Sequence, residues 1–121
     1  MLNDADTNVF SKICLVTGYT DLRRGIDGLS AMIQSSYELD PYETNVLFLF
    51  CGRRLDRIKG LLWEGDGFLL LYKRLEKGKF QWPRNEQEVL SLTSQQFRWL
   101  MEGLTLYQPK AIPACKPRKT L

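Results

Sequence analysis

Histidine is absent from this 121-residue sequence, and cysteine is scarce. Without histidine, the chain has no imidazole for a metal site and no histidine base to activate a serine or cysteine nucleophile. The three cysteines, at positions 14, 51 and 115, lie far apart and show no Cys-x-x-Cys spacing. Because an odd number of cysteines cannot pair completely within one chain, we expect a reducing compartment, with Cys14 and Cys51 buried in apolar runs.

The sequence also lacks a long apolar run and the basic start of a secretory signal. Its first twelve residues, MLNDADTNVFSK, carry acidic residues where a signal peptide carries basic ones. No apolar stretch approaches the roughly 18 residues that a membrane helix needs. We therefore expect a cytoplasmic protein that has no membrane partner.

Positive charge is confined to two segments, although the net charge of the chain is only +3. Nine basic and four acidic residues lie between positions 53 and 84, a net charge of +5. The segment 109–121 carries four basic residues, three prolines and no acidic residue, which is typical of a flexible tail. We predict an N-terminal extension over 1–11, a single domain over 12–108 and a basic flexible tail over 109–121.

Short apolar runs separated by turn residues predict a β-sheet. KICLVT (12–17) and NVLFLFCG (45–52) have the length and composition of buried strands. Farther along, RRLDRIKGLLW and FLLLYKRLE flank the turn sequence EGDG, and KFQW follows a second tight turn at Lys77-Gly78. These last segments predict a meander of about four antiparallel strands.

Two segments have the spacing of amphipathic helices. Apolar residues recur with helical spacing over 21–37 and again over 92–104. In the second segment, Thr93 and Gln96 match the T-x-x-Q capping box, and Gly103 is placed for a left-handed cap. The predicted fold class is therefore α+β, an antiparallel meander sheet of four to five strands with two helices packed against it.

The candidates for an enzymatic interpretation are five carboxylates, of which a metal site could use three: Asp21, Asp27, Asp56, Glu64 and Asp66. Asp21, Asp56 and Asp66 could hold a divalent ion for phosphoryl transfer if folding brought them together. Each has a competing structural role, since Asp21 can cap a helix, Asp66 suits a turn, and Asp56 can be a surface charge between two arginines. Their spacing does not favour a metal-dependent nuclease, and we expect no catalytic residue, no metal and no cofactor.

Basic residues interleaved with aromatic ones predict a surface that binds a polyanion. A nucleic-acid backbone is bound by clustered lysine and arginine, with aromatic rings available for stacking. The candidate DNA-binding residues lie on two predicted strands and their turns: Arg53, Arg54, Arg57, Lys59, Tyr72, Lys73, Arg74, Lys77 and Lys79. A solvated β-hairpin would carry similar charges, so composition alone leaves both interpretations open.

Three segments, in order, resemble a known family of bacterial proteins. VTGYTDLRRGIDGL, FLFCGRRLDRIKGLLWEGDGFLLLYKRLEKGKFQWP and LTSQQFRWLMEGL look like the TnpB-type accessory proteins encoded by the short second reading frame of insertion-sequence-66 elements. The resemblance covers about residues 12–108. It implies a protein that acts beside a separate, larger transposase in DNA transposition, and it does not by itself imply a catalytic activity.

The resemblance implies transposon DNA and element-encoded proteins as partners. In that setting Arg53, Arg54, Lys73 and Arg74, beside Tyr72, become candidates for phosphate contacts, which would position the protein without reading sequence. The first hypothesis is accordingly a non-catalytic accessory protein that contacts DNA through a basic hairpin surface in the transposase–DNA complex.

The alternative hypothesis is an adaptor that binds the transposase, or another element-encoded protein, and never touches DNA. Its candidate contact residues are Arg23, Arg24 and Trp99. Basic residues gathered on one continuous face would favour DNA, whereas scattered charges beside an apolar patch would favour the adaptor. Neither hypothesis specifies an oligomeric state.

Overall fold

The structure, a computed structural model, describes residues 9–109, so most of the predicted extension and all but the first residue of the predicted tail lie outside the described residues. Within residues 9–109 the chain forms five strands and two helices. In chain order they are β1 (Lys12–Val16), α1 (Ile26–Ser36), β2 (Val46–Cys51), β3 (Arg57–Trp63), β4 (Phe68–Arg74), β5 (Val89–Leu92) and α2 (Ser94–Met101).

The strands form one sheet in the order β4-β3-β2-β1-β5. β1 and β2 are parallel, because α1 connects them as a crossover over one face of the sheet. The other neighbouring pairs are antiparallel, and β2, β3 and β4 form a meander. The predicted α+β class is confirmed, and the sheet is mixed but mostly antiparallel.

The predicted strand KFQW is not a strand, and the sheet is completed by β5, which the sequence analysis did not predict. β4 and β5 lie at opposite edges of the sheet, so the chain between them must cross one face. It crosses with Phe80 and Trp82 buried at 0% and 5% exposure. The Trp82 indole N–H donates to the Val16 carbonyl at 2.9 Å, which fixes the crossing segment against β1.

Alternate residues of the strands supply two hydrophobic cores, one on each face of the sheet. Leu29 and Ile33 of α1 are buried in one core, and Phe97 and Leu100 of α2 are buried in the other together with Phe80. The helices therefore lie on opposite faces and make three layers. Neither helix in the described part of the chain is long and apolar enough to cross a membrane.

The helix ends differ in how well the sequence predicted them. α2 begins with the predicted capping box, in which the Thr93 hydroxyl accepts from Gln96 N–H and the Gln96 side chain accepts from Thr93 N–H, both at 3.0 Å. Gly103 follows α2 with φ of 80°, as expected for a left-handed cap. α1 begins at Ile26 and not at residue 21, because residues 21–24 form a turn.

The buried thiols lead to a testable prediction. Cys14 and Cys51 lie in the core, and burial raises the pKa of both thiols, that of Cys51 to about 11. Because the thiolate is the reactive form, we expect neither thiol to react with a chromogenic disulfide reagent at neutral pH until the protein is unfolded in guanidinium. The measurement is made on a Cys115→Ser variant, and fast labelling of its native state would contradict the burial of these residues.

Candidate nucleic-acid interface

The carboxyl ends of β1 and β2 lie side by side at the same end of the sheet, because these neighbouring strands are parallel. The loop after β1 is tied to the end of β2, where the Thr20 N–H donates to the Cys51 carbonyl at 2.8 Å. Between these loops lies a cleft of about 590 Å³, named the arginine cleft below. It is lined by Tyr19, Thr20, Asp21, Leu22, Arg23, Gly52, Arg53, Arg54, Arg57 and Tyr72.

Arg53 and Arg54 carry the positive charge of the arginine cleft. Arg53 donates to the Tyr19 hydroxyl at 3.0 Å, and its guanidinium carbon lies 4.5 Å from the centre of the Tyr19 ring. This cation–π contact holds the guanidinium against Tyr19, which also lines the cleft. Within residues 9–109 no carboxylate lies at salt-bridge distance from either arginine. Their charges are therefore available to an anionic ligand.

The other two arginines of the cleft are paired with carboxylates. The Arg23 Nη2 lies 2.8 Å from the Asp21 Oδ2, and the Arg57 Nε lies 2.9 Å from the Asp56 Oδ1. Hydrogen bonds from Arg23 lower the pKa of Asp21 to about 2, and hydrogen bonds from Arg57 lower the pKa of Asp56. Both carboxylates stay ionised at neutral pH, so these arginines add little net charge to the cleft.

Part of the predicted hairpin surface continues the cleft along β3 and β4. In the register of β3 and β4, Arg57 lies opposite Arg74 and Lys59 lies opposite Tyr72. These four side chains therefore share the α1 face of the sheet. The Lys59 ammonium donates to the Arg24 carbonyl at 3.0 Å and lies 6.0 Å from the centre of the Tyr72 ring. Tyr72 is 53% exposed and lines the cleft, so it offers a ring for stacking.

The remaining hairpin candidates lie apart from the cleft. Lys73 pairs with Ile58, whose side chain belongs to the core under α2, so Lys73 is on the opposite face from Arg74. Successive side chains of a strand alternate between faces, which separates these neighbours. Lys77 and Lys79 are exposed in the segment that crosses the α2 face. The nine candidates do not form one continuous surface.

Arg84 is a residue of this site that the sequence analysis missed. Its guanidinium donates to the Gly18 carbonyl at 2.8 Å and to the Gly52 carbonyl at 2.6 Å. These glycines follow β1 and β2, so Arg84 holds together the two loops that line the arginine cleft. No spacing in the sequence indicates this role, because its partners are backbone carbonyls far away in the chain.

Comparison with known proteins decides the family. A model of the family described as IS66 Orf2-like protein matches residues 11–111. The chain belongs to the IS66 Orf2-like family. This confirms the resemblance found in the sequence, and the family implies an accessory role in the transposition of an insertion sequence.

Two relatives of this IS66 Orf2-like protein come from Sinorhizobium fredii (strain NBRC 101917 / NGR234). It is 35% identical to the uncharacterized protein y4jC over 108 residues, covering 89% of this chain and 92% of the relative. It is 32% identical to the uncharacterized protein y4hO over 99 residues, covering 82% of this chain and 85% of the relative. No solved structure matches the chain.

The residues predicted to contact a protein partner are also separated in this IS66 Orf2-like chain. Arg23 lines the arginine cleft, and the Arg24 carbonyl accepts from Lys59 beside it. Trp99 lies partly buried on α2, on the other side of the sheet. Arg23 and Arg24 therefore belong to the same surface as Arg53.

The three aspartates considered for a metal site do not come together. Asp21 and Asp56 are each bonded to an arginine, and Asp66 lies in the turn between β3 and β4. In the part of the chain that the structure describes, no group of three His, Cys, Asp or Glu side chains could hold a metal ion.

Proposed function

We propose that this IS66 Orf2-like protein is a non-catalytic component of the transposase–DNA complex and contacts DNA through the arginine cleft. The observation that carries the proposal is the pair Arg53 and Arg54, which has no carboxylate partner within residues 9–109 and lines an open cleft. Guanidinium groups bind phosphate oxygens through two parallel hydrogen bonds, which suits them to a nucleic-acid backbone.

The aromatic residues beside these arginines support the same ligand. Tyr19 and Tyr72 are 47% and 53% exposed and both line the cleft. Exposed rings next to cations that have no carboxylate partner can stack on bases while the cations contact phosphates. Such contacts bind the backbone of many sequences, so the protein would position the complex and leave sequence recognition to another component.

The adaptor remains a second candidate because of a separate aromatic cluster. Tyr42, Trp63 and Phe68 lie with their ring centres 4.9–5.2 Å apart, and Tyr42 is 51% exposed. The cluster is at the end of β3 opposite to Arg57, about 20 Å away by the rise of a strand. A protein partner could bind there through apolar contacts without using the arginine cleft.

The test measures the affinity of the protein for two labelled duplexes, one with the element's end sequence and one scrambled, at a series of salt concentrations. Binding is detected by the fluorescence anisotropy of the label. Each phosphate contact contributes about −0.9 to the slope of log affinity against log salt. We expect Arg53→Ala with Arg54→Ala to weaken binding and to make that slope shallower by about 2. The matched control, Lys77→Ala with Lys79→Ala, removes the same charge outside the cleft and should leave the slope unchanged.

Three results would count against this function. Equal losses in the two double variants would mean diffuse attraction and no specific contact at the cleft. No binding at low salt would exclude the DNA contact, and co-purification with the transposase would then test the adaptor. Nicking of supercoiled DNA by the purified wild type with Mg²⁺ that is lost in an Asp21→Asn variant would contradict a non-catalytic role.

A further inference from the structure

β4 is an edge strand that lacks the usual protection against pairing with another chain. It is the last strand on one side of the sheet, and its seven residues, FLLLYKR, contain no proline or glycine and no charge before Lys73. Proteins commonly protect edges by charge, proline, bulges or short length. The opposite edge, β5, has only four residues. The long apolar edge is therefore left at β4.

The strand register identifies the backbone groups that β4 turns outward. Leu75 N–H donates to the Asp56 carbonyl at 2.7 Å, in register with the β3–β4 ladder. Antiparallel ladders alternate between hydrogen-bonded and non-hydrogen-bonded pairs, so the odd-numbered residues of β4 bond to β3. The even-numbered residues direct their N–H and C=O groups away from the sheet: Phe68, Leu70, Tyr72 and Arg74.

We propose that two copies of this chain join antiparallel through β4 and form one continuous sheet, with the two-fold axis at Leu70. This interface does not depend on whether the arginine cleft binds DNA. In this register the outward groups of the two strands bond to one another, as in strand addition to a sheet edge. The cross-strand pairs are Leu70 with Leu70, Leu69 with Leu71 and Phe68 with Tyr72, and Arg74 of each copy comes opposite Asp66 in the β3–β4 turn of the other copy.

Self-complementarity favours this register. Apolar residues face apolar or aromatic ones, and opposite charges face each other twice, at Arg74 and Asp66. An axis one residue farther along would set Phe68 against Arg74 and Leu69 against Lys73, which pairs apolar groups with charges. The chemistry of the strand therefore fits a second copy of itself.

Energetic coupling between Arg74 and Asp66 would be specific to the dimer. Both residues are exposed, and they lie near opposite ends of β4. The rise of a strand separates Arg74 from Phe68 by about 20 Å within one copy, and Asp66 lies in the turn beyond Phe68. Any energetic coupling between these two positions must therefore arise between copies.

The first test measures the mass of the full chain by sedimentation velocity over a concentration series. The wild type is expected to sediment as a dimer at high concentration. Tyr72→Pro removes an outward N–H and none of the bonds to β3, so it should raise the dimer dissociation constant at least tenfold. Tyr72→Thr loses the same ring but keeps the N–H, and it should remain dimeric, with circular dichroism confirming that both variants fold.

The second test exchanges the charges. Arg74→Asp sets two carboxylates against each other twice and should weaken the dimer about tenfold, and Arg74→Asp with Asp66→Arg should restore it. A wild type that is monomeric at every concentration overturns the proposal and leaves the edge to a strand of another protein. A dimer that is unaffected by Tyr72→Pro, or not restored by the exchange, also overturns it.

Discussion

Replacing Phe80 with alanine should lower the free energy of unfolding by about 4 kcal/mol. Phe80 is fully buried between the sheet and α2, and its N–H donates to the Leu55 carbonyl at 2.7 Å. Removing the ring leaves a cavity under α2, which the surrounding strands and helix cannot fill. Guanidinium unfolding followed by circular dichroism measures the change as a lower midpoint at an unchanged slope.

Tyr107→Ala is the matched control for that prediction. Tyr107 is an aromatic residue of similar size that is 77% exposed, so its loss should change the unfolding free energy by less than about 0.5 kcal/mol. Similar small losses at both positions would mean that the segment after β4 does not pack into the core. Phe80 would then be part of a solvated hairpin.

Replacing Arg84 with methionine should lower the free energy of unfolding by about 2 kcal/mol. Methionine keeps much of the apolar stem but has no donor for the Gly18 and Gly52 carbonyls, to which the guanidinium is bonded. This loss of stability is small for two hydrogen bonds from a charged group, because Arg84 is exposed and water can partly replace these bonds. The loops of the arginine cleft should also separate, so DNA binding should weaken even though Arg84 does not line the cleft.

Arg98→Met separates this effect from the loss of a surface charge. Arg98 is exposed on α2, and in the described part of the chain its guanidinium bonds only to the Gln95 side chain, so its replacement should cost less than about 0.5 kcal/mol. Amide signals of Tyr19 and Arg53 in a nitrogen–proton correlation spectrum should move in Arg84→Met and stay in place in Arg98→Met. If these amide signals and the unfolding free energy are unchanged in Arg84→Met, then Arg84 does not hold the two loops of the arginine cleft together.

Local patterns in the sequence predicted the elements whose limits are set locally. The capping box at Thr93 and the turn residues Gly65 and Asp66 each act on neighbouring residues, and both α2 and the β3–β4 hairpin formed near the predicted positions. KFQW failed because Phe80 and Trp82 alternate as they would in a strand. Only the position of β5 at the far edge of the sheet requires that segment to cross the α2 face instead.

The candidate site was predicted in composition but not in arrangement. Arg53 and Arg54 were recognised as basic residues after an apolar strand, yet an antiparallel meander gave no reason to expect Tyr19 and Arg23 beside them. The parallel pairing of β1 and β2 brings these residues together. Parallel pairing depends on the path of α1 over the sheet, and this path is a tertiary property that residue spacing does not reveal.

The position of β1 in the sheet also has a consequence for synthesis of the chain. Of the described strands, β1 is the first to leave the ribosome, but one of its two neighbours is β5, so the pairing of Ile13 with Leu92 cannot form until β5 has been made. Contacts between distant parts of a chain form slowly, and partly folded chains with exposed apolar strands aggregate. The protein should therefore fold late, after nearly all of the domain has been made, and chains that stop before residue 89 should be cleared by proteases.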